Sequence, residues 1–190
     1  THYVSVFNDI TEDFHKDEQL RHMACHDPLT GLANRSLLHE HLRMAITRAL
    51  RNTSLVGVLF LDLDQFKSIN DTLGHEVGDL LLKEVANRLL GCIRASDTLA
   101  RLGGDVFVVL MNVIADEDDC ALLARKLRRA LETPIELSGA SLYVNTSIGI
   151  SIYPKDGTTI DELMKNADMA LYAAKAAGKN RFNYFHAAMS

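Results

Sequence analysis

The sequence predicts an α/β (α+β) protein built on a central, mostly antiparallel five-stranded sheet with flanking helices. Three observations predict it. Apolar runs of strand length alternate with longer amphipathic stretches along the chain. A double glycine, Gly103-Gly104, separates two apolar runs, as a tight hairpin needing positive φ requires. Finally, 190 residues, 47% of them hydrophobic and 24% charged, suffice to bury one self-supporting core.

The same composition excludes disorder and collagen-like repeats. No apolar run approaches the ~20 residues that a membrane span needs. Lys and Arg number 20 against 25 Asp and Glu, a net charge of −5. A duplex-binding protein would normally carry a basic footprint, so no nucleic-acid partner is expected.

The elements follow in order. No signal peptide opens the chain; Tyr3 to Thr11 reads as a strand cut from something longer. Glu12 to Cys25 reads as a charged helix with a thin apolar stripe (Phe14, Leu20, Met23, Ala24), suited to joining domains or pairing with a partner helix. Pro28 and Gly31 punctuate the chain, and Asn34 can cap a helix from about Ser36 to Leu50. A strand is expected over Leu55 to Leu63, helix-like sequence from Gln65, and an amphipathic helix from about Glu76 to Ile93. Strands over Thr98 to Leu102 and Val106 to Met111 flank the glycine turn. A helix fits Glu117 to Leu131, closed by Pro134, and a strand fits Leu142 to Tyr153. A last helix from Thr159 to Ala177, ended by Gly178, leads to a short strand from Arg181 to Phe185.

Several residues could carry chemistry. Asp62 and Asp64 end the apolar run two positions apart, so both carboxylates can project from one face. Hard oxygen ligands at a strand end suit Mg²⁺; equally, Asp64 can cap the next helix while Asp62 is merely solvated. Asp105 follows the double glycine, where the missing side chains leave room for a bulky anion. With Asp62 on a neighbouring strand it would complete a two-carboxylate metal site, or it is an ordinary turn residue. Lys67, Lys175, Lys179 and Arg181 can neutralise phosphate, although most lysines are simply solvated. Asn70 and Asp79 together can donate to and accept from a base edge such as guanine. Neither a P-loop nor a dinucleotide-binding glycine fingerprint is present. Cys25, Cys92 and Cys120 are far apart and read as small buried hydrophobes or half-exposed thiols rather than metal ligands. Of the eight histidines, His39 and His41 lie two apart, a spacing that does not share a helix face.

Taken together, five segments resemble the GGDEF family, the diguanylate cyclase domains of bacterial signalling. They are Asp27-Pro-Leu-Thr-Gly-Leu-Ala-Asn-Arg35, Leu61-Asp-Leu-Asp-Gln-Phe-Lys-Ser-Ile-Asn-Asp71, Leu73-Gly-His-Glu-Val-Gly-Asp-Leu-Leu81, Arg101-Leu-Gly-Gly-Asp-Val-Phe107 and Ala167-Asp-Met-Ala-Leu-Tyr-Ala-Ala-Lys175. The resemblance covers about Asp27 to Phe185, and all five occur in order at the family's separations. It implies a fold like nucleotidyl cyclases and polymerase palms, with the glycine hairpin at the active edge. It implies a homodimer in which two facing domains each hold one GTP and condense them to cyclic di-GMP with loss of pyrophosphate. Asp62 and Asp105 would be the catalytic carboxylates and the ligands of Mg²⁺ (or Mn²⁺), aided by the backbone carbonyl of Leu63. Asn70 and Asp79 would read guanine, while Lys67, Lys175 and Lys179 would hold phosphates, Lys179 standing where many members have Arg. Arg94-Ala-Ser-Asp97 resembles the RxxD product-inhibition site that binds cyclic di-GMP; by itself it is only a helix-ending Arg and a turn Asp.

One departure matters. The signature reads Gly-Gly-Asp/Glu-Glu-Phe in the family, and here Val106 stands in place of the Glu. A branched apolar group can neither bind metal nor accept a proton, yet it is a good strand residue. One lost charge-assisted contact costs about 1.5–3 kcal/mol, or roughly ten- to a hundred-fold in rate. The expectation is therefore a GTP- and Mg²⁺-binding regulatory domain that turns over poorly; the alternatives are a working cyclase in which Asp105 covers for the missing Glu, and a scaffold for dimerisation. Residues 1–25 resemble the end of a PAS sensor strand plus a signalling helix, 26–186 the GGDEF domain, and 187–190 the start of a linker toward an EAL phosphodiesterase domain. The domain is expected in the cytoplasm, the full protein either tethered to a membrane or free.

Overall fold

The computed structural model describes residues 10–190. Its centre is β1 (Leu55–Asp64), flanked antiparallel by β3 (Val106–Ile114) and β6 (Asn145–Tyr153). Outside β3 lies β2 (Thr98–Gly103), also antiparallel, and outside β6 lies β7 (Phe182–Tyr184), parallel to it. The five-stranded order is β2-β3-β1-β6-β7, the mixed but mostly antiparallel sheet expected.

The near-continuous apolar reading of β1 has a physical cause: both faces of this strand are covered. Leu59, Leu61 and Leu63 face α4 (His75–Leu90) and α5 (Asp118–Glu132), packing on Leu81, Leu82, Val85, Leu89, Leu123 and Leu127. Val56, Val58 and Phe60 face α2 (Arg35–Asn52) and α6 (Ile160–Ala176), among Leu38, Leu42, Leu163, Ala167 and Leu171. Strand alternation then carries Asp62 and Asp64 onto the α2/α6 side. Helix starts follow capping chemistry. Asn34 accepts the Leu37 N–H at 3.1 Å to begin α2, and Thr159 with Glu162 forms a reciprocal capping box that begins α6. The short α3 (Phe66–Leu73) is separated from α4 by Gly74 alone, whose φ of 89° lets the chain turn at once.

Several expectations need correction. The loop of the β2–β3 hairpin is Gly104-Asp105, because Gly103 pairs with Val106 and belongs to β2. The strand expected over Leu142–Tyr153 is broken. A separate hairpin, β4 (Ile135–Leu137) with β5 (Ala140–Leu142), precedes β6, turning on Ser138 and Gly139 at φ of 52° and 79°. The helix expected to reach Ile93 stops at Leu90, its cap at Gly91. The strand expected over Tyr3–Thr11 lies largely outside the described residues, and its last two positions, Ile10 and Thr11, open α1 (Ile10–Cys25). Along α1, Leu20 and Met23 are largely exposed. Among the described residues no helix is long and apolar enough to cross a membrane.

Candidate functional site

The site is built where β1 ends. Asp62 pairs across the ladder with Val106 on β3, so the side chains of the two residues lie on one face. Next to Val106, Asp105 occupies the hairpin loop, and its carbonyl accepts the Leu63 N–H at 3.3 Å, which ties the loop to the end of β1. From α6, Lys175 reaches across and places Nζ 2.7 Å from Asp62 Oδ2. Burial, and then the charge of Asp62, push the Asp105 carboxyl above its usual value, with Lys175 pulling the other way. Two neighbouring acids in a half-buried site, with one ammonium in contact with Asp62, leave negative charge that a cation would offset.

The hairpin is clamped from a distance. Arg101 donates through Nε and Nη2 to the Gly104 carbonyl at 3.0 and 2.8 Å, and through Nη1 to both Asp27 carboxylate oxygens at 2.9 and 3.0 Å. Asp27 also accepts from the Thr30 amide and hydroxyl. Burial alone would raise the Asp27 carboxyl, but the Thr30 bonds and the Arg101 guanidinium outweigh it and hold it below the usual carboxylate range. Neither residue of this clamp has an assigned role at the level of sequence. Seventy-four positions separate them, and only the paired occurrence of the Asp27 turn and the arginine before the double glycine hints at it.

Asp64 does not join the cation site, nor does it cap the next helix. Its Oδ1 accepts from the Ser147 hydroxyl at 2.8 Å and its Oδ2 from the Asn180 N–H at 2.9 Å, while Gln65 stands at the α3 N-terminus. The carboxylate thereby fixes the turn after α6, where Lys179 and Asn180 hold left-handed φ values of 62° and 45°. Arg181 closes the same turn through a bond from Nε to the Lys179 carbonyl at 3.2 Å, so its guanidinium braces that turn.

The structure thus brings Asp62, Asp105 and Lys175 into one cluster, with Leu63 in the backbone between them. Lys67, in the first turn of α3, and Lys179 are exposed near the ends of elements that begin or finish at this edge. Asn70 on α3 lies against Gly78 of α4, and Asp79 is the next residue along that helix. Arg94 and Asp97 do not join the cluster. They lie in the loop before β2, about 20 Å of extended strand from the hairpin tip. There the Asp97 carboxylate accepts the Arg94 N–H at 3.2 Å, and both residues border a cavity of about 220 Å³ shared with Lys126.

Among the described residues no three His, Cys, Asp or Glu side chains converge as a metal cage. The Asp62 and Asp105 carboxylates are a donor set that would fit Mg²⁺, which takes one or two carboxylates and leaves its other positions to water and substrate phosphates. On the α2/α6 side, Val106 floors an open cavity of about 500 Å³ bordered by Phe60, Met164, Arg35, Lys165 and Asp168. A longer side chain at position 106 has room there.

Two carboxylates met by one ammonium at the end of the central strand are a donor set that a divalent cation carrying phosphates would fit. Comparison with known proteins goes further. Residues 24–181 match the family model "Diguanylate cyclase, GGDEF domain". The chain is 47% identical over 174 residues to the bifunctional diguanylate cyclase/cyclic di-GMP phosphodiesterase MucR of Pseudomonas aeruginosa; the match covers 92% of this chain and 25% of that protein. The solved GGDEF domain of TpbB from the same species superposes with a TM-score of 0.85 at 38% identity, covering 86% of this chain and 96% of that one. The coiled coil and GGDEF domain of DgcB from Caulobacter crescentus, in complex with c-di-GMP, gives 0.83 at 27% identity and 93% of both chains. The chain belongs to the GGDEF family and is a domain of cyclic di-GMP signalling.

Proposed function

We propose that this domain binds GTP with Mg²⁺ at the β1–hairpin edge and acts as a regulatory module whose turnover is impaired by Val106. The observation that carries this reading is the Asp62–Asp105 pair, in which the Asp62 charge helps raise the Asp105 carboxyl and Lys175 meets Asp62 at 2.7 Å. A scaffold has no need of such a pair. Asp62, Asp105 and the Leu63 carbonyl would hold the cation, which when bound supplies charge neutralisation at the phosphates and acidifies a 3′-hydroxyl. Lys175, Lys179 and Lys67 would take the phosphate charge, and Asn70 with Asp79 would read guanine. The Arg101–Asp27 clamp keeps the hairpin in place without touching substrate.

The register explains what Val106 removes. It stands directly across from Asp62, so a glutamate there would add a third carboxylate on the same face, its Cβ about 5 Å from that of Asp62. Its loss leaves binding groups in place and takes away a contact made during transfer, a change expected in turnover more than in affinity.

Arg94 and Asp97 would form a second site for cyclic di-GMP; DgcB, 27% identical to this chain, is solved in complex with that ligand. Product bound there would signal through β2 to the hairpin. The chain spans a quarter of the MucR length, and MucR carries both cyclase and phosphodiesterase names, in keeping with an arrangement in which residues 26–186 are a GGDEF unit between a PAS-like segment and an EAL domain. Catalysis, where it occurs, would require a second copy facing the first. The test is Val106→Glu in the purified chain, followed by cyclic di-GMP production from GTP. A gain of at least ten-fold over the unaltered chain is expected. Robust turnover by the unaltered chain, or no gain in the variant, overturns the impaired-cyclase reading.

A further inference from the structure

Asn70 Oδ1 is one of two buried side-chain polar atoms that lack a hydrogen-bond partner among the described residues. It lies against Gly78, in the first turn of α4. A Cβ added at Gly78 would sit 1.8 Å from Asn70 Oδ1, 3.0 Å from its Cγ and 3.4 Å from Phe66 Cζ. Gly78 does not carry a positive φ, so the backbone makes no demand for glycine here. Glycine inside a helix weakens it relative to alanine. What position 78 needs is empty space, and the occupant of that space is the Asn70 carboxamide.

We infer that Gly78 is a positioning residue for guanine selectivity: its missing side chain is the slot that fixes the plane of the Asn70 amide beside Asp79. The inference rests on the reading of Asn70 and Asp79 as the guanine-recognition pair. The Asn70 Oδ1 is buried against α4 at Gly78, so its Nδ2 is turned away from that contact, and Asp79, the next residue of α4, is exposed. An amide in a fixed plane next to a carboxylate offers a donor and acceptor pattern matching the guanine edge and mismatching adenine. A base that lacks the matching groups forgoes those hydrogen bonds, which is what gives such a site its discrimination.

The obstacle to a side chain at 78 is the far end of a flexible residue. Gly78→Ala therefore folds, with Asn70 rotating aside, and the damage appears in selectivity and not in stability. The thermal midpoint is expected to stay the same or rise, because alanine favours α4. The GTP Kd is expected to weaken three- to ten-fold, the worth of one or two neutral hydrogen bonds, and the preference for GTP over ATP to fall by a similar factor. In an Asn70→Ala background, Gly78→Ala should cost nothing further, since its target is gone.

The experiment is titration of GTP and ATP in the presence of Mg²⁺ against the full chain, Gly78→Ala, Asn70→Ala and the double variant, with a melting curve for each. The side-chain NH₂ resonances of Asn70 in unaltered chain and Gly78→Ala give a readout that needs no nucleotide, and they are expected to shift. Unchanged resonances, unchanged GTP affinity and selectivity, or a loss that persists in full without Asn70 would each overturn the role of Gly78. Absence of GTP binding by the unaltered chain, with the resonances shifted, would instead sink the guanine reading while leaving the slot in place.

Discussion

Helix α6 lies on β6 with almost nothing between them, and Gly149→Ala tests how much the site depends on that closeness. A Cβ at 149 would meet the Ala167 carbonyl oxygen and the Leu171 nitrogen at 2.1 Å, and the Ala170 carbonyl carbon at 2.8 Å. Comfortable carbon–heteroatom contact needs about 3.4 Å, so α6 must retreat by roughly 1 Å or the sheet must bend. Backbone cannot rotate aside as a side chain can. The cost therefore belongs at the upper end of the overpacking range, about 3 kcal/mol. For a chain of this size that lowers the melting temperature by roughly 6–12 °C. Lys175 is one turn beyond Leu171, so the retreat also opens the 2.7 Å contact with Asp62 and weakens nucleotide binding. Melting followed by circular dichroism, with a GTP titration below the transition, measures both. A midpoint within 2 °C of the unaltered chain, together with unchanged affinity, would refute the idea that backbone contact with β6 sets the position of Lys175.

Asp105→Asn is expected to stabilise the cation-free protein at neutral pH while abolishing Mg²⁺-dependent GTP binding. The folded carboxyl titrates above its unfolded value, so folding penalises its ionised form, and the penalty is present above the folded value. The advantage of the variant should shrink as pH falls through that raised value and vanish below the ordinary carboxylate range near 3.8, where both states are protonated; melting curves at pH 7 and pH 3.5 check the sign. Asp27→Ala unclamps Arg101 and is expected to lower the pH 7 midpoint, the loss fading as pH drops below the ordinary Asp range, since this carboxyl is held low. Arg94→Ala should reduce cyclic di-GMP affinity at least ten-fold and leave GTP affinity unchanged, as read by titration of each ligand.

Much of this architecture is legible in the residues because local signals agree with tertiary need. Asn34 and Thr159 mark the helix starts they cap, and the β1 run is apolar throughout because helices cover both faces. The β4–β5 hairpin is hidden by its brevity: three residues per strand give no period, although Ser138-Gly139 is a turn pair. Asp62 and Asp64 cannot be told apart along the chain, since a period of two puts both on one face. Ser147 and Asn180, more than 80 positions away, decide that Asp64 ties down a turn while Asp62 stays with Asp105. The Asp27–Arg101 clamp and the slot at Gly78 are likewise properties of approach in space.

Calorimetric titration of Mg²⁺-GTP into the unaltered chain weighs most directly on the account as a whole. Saturable binding at one site per chain, lost on chelation of the cation and in Asp62→Ala, is the predicted result. Heats indistinguishable from dilution, with a melting curve that GTP and Mg²⁺ leave unmoved, would contradict it.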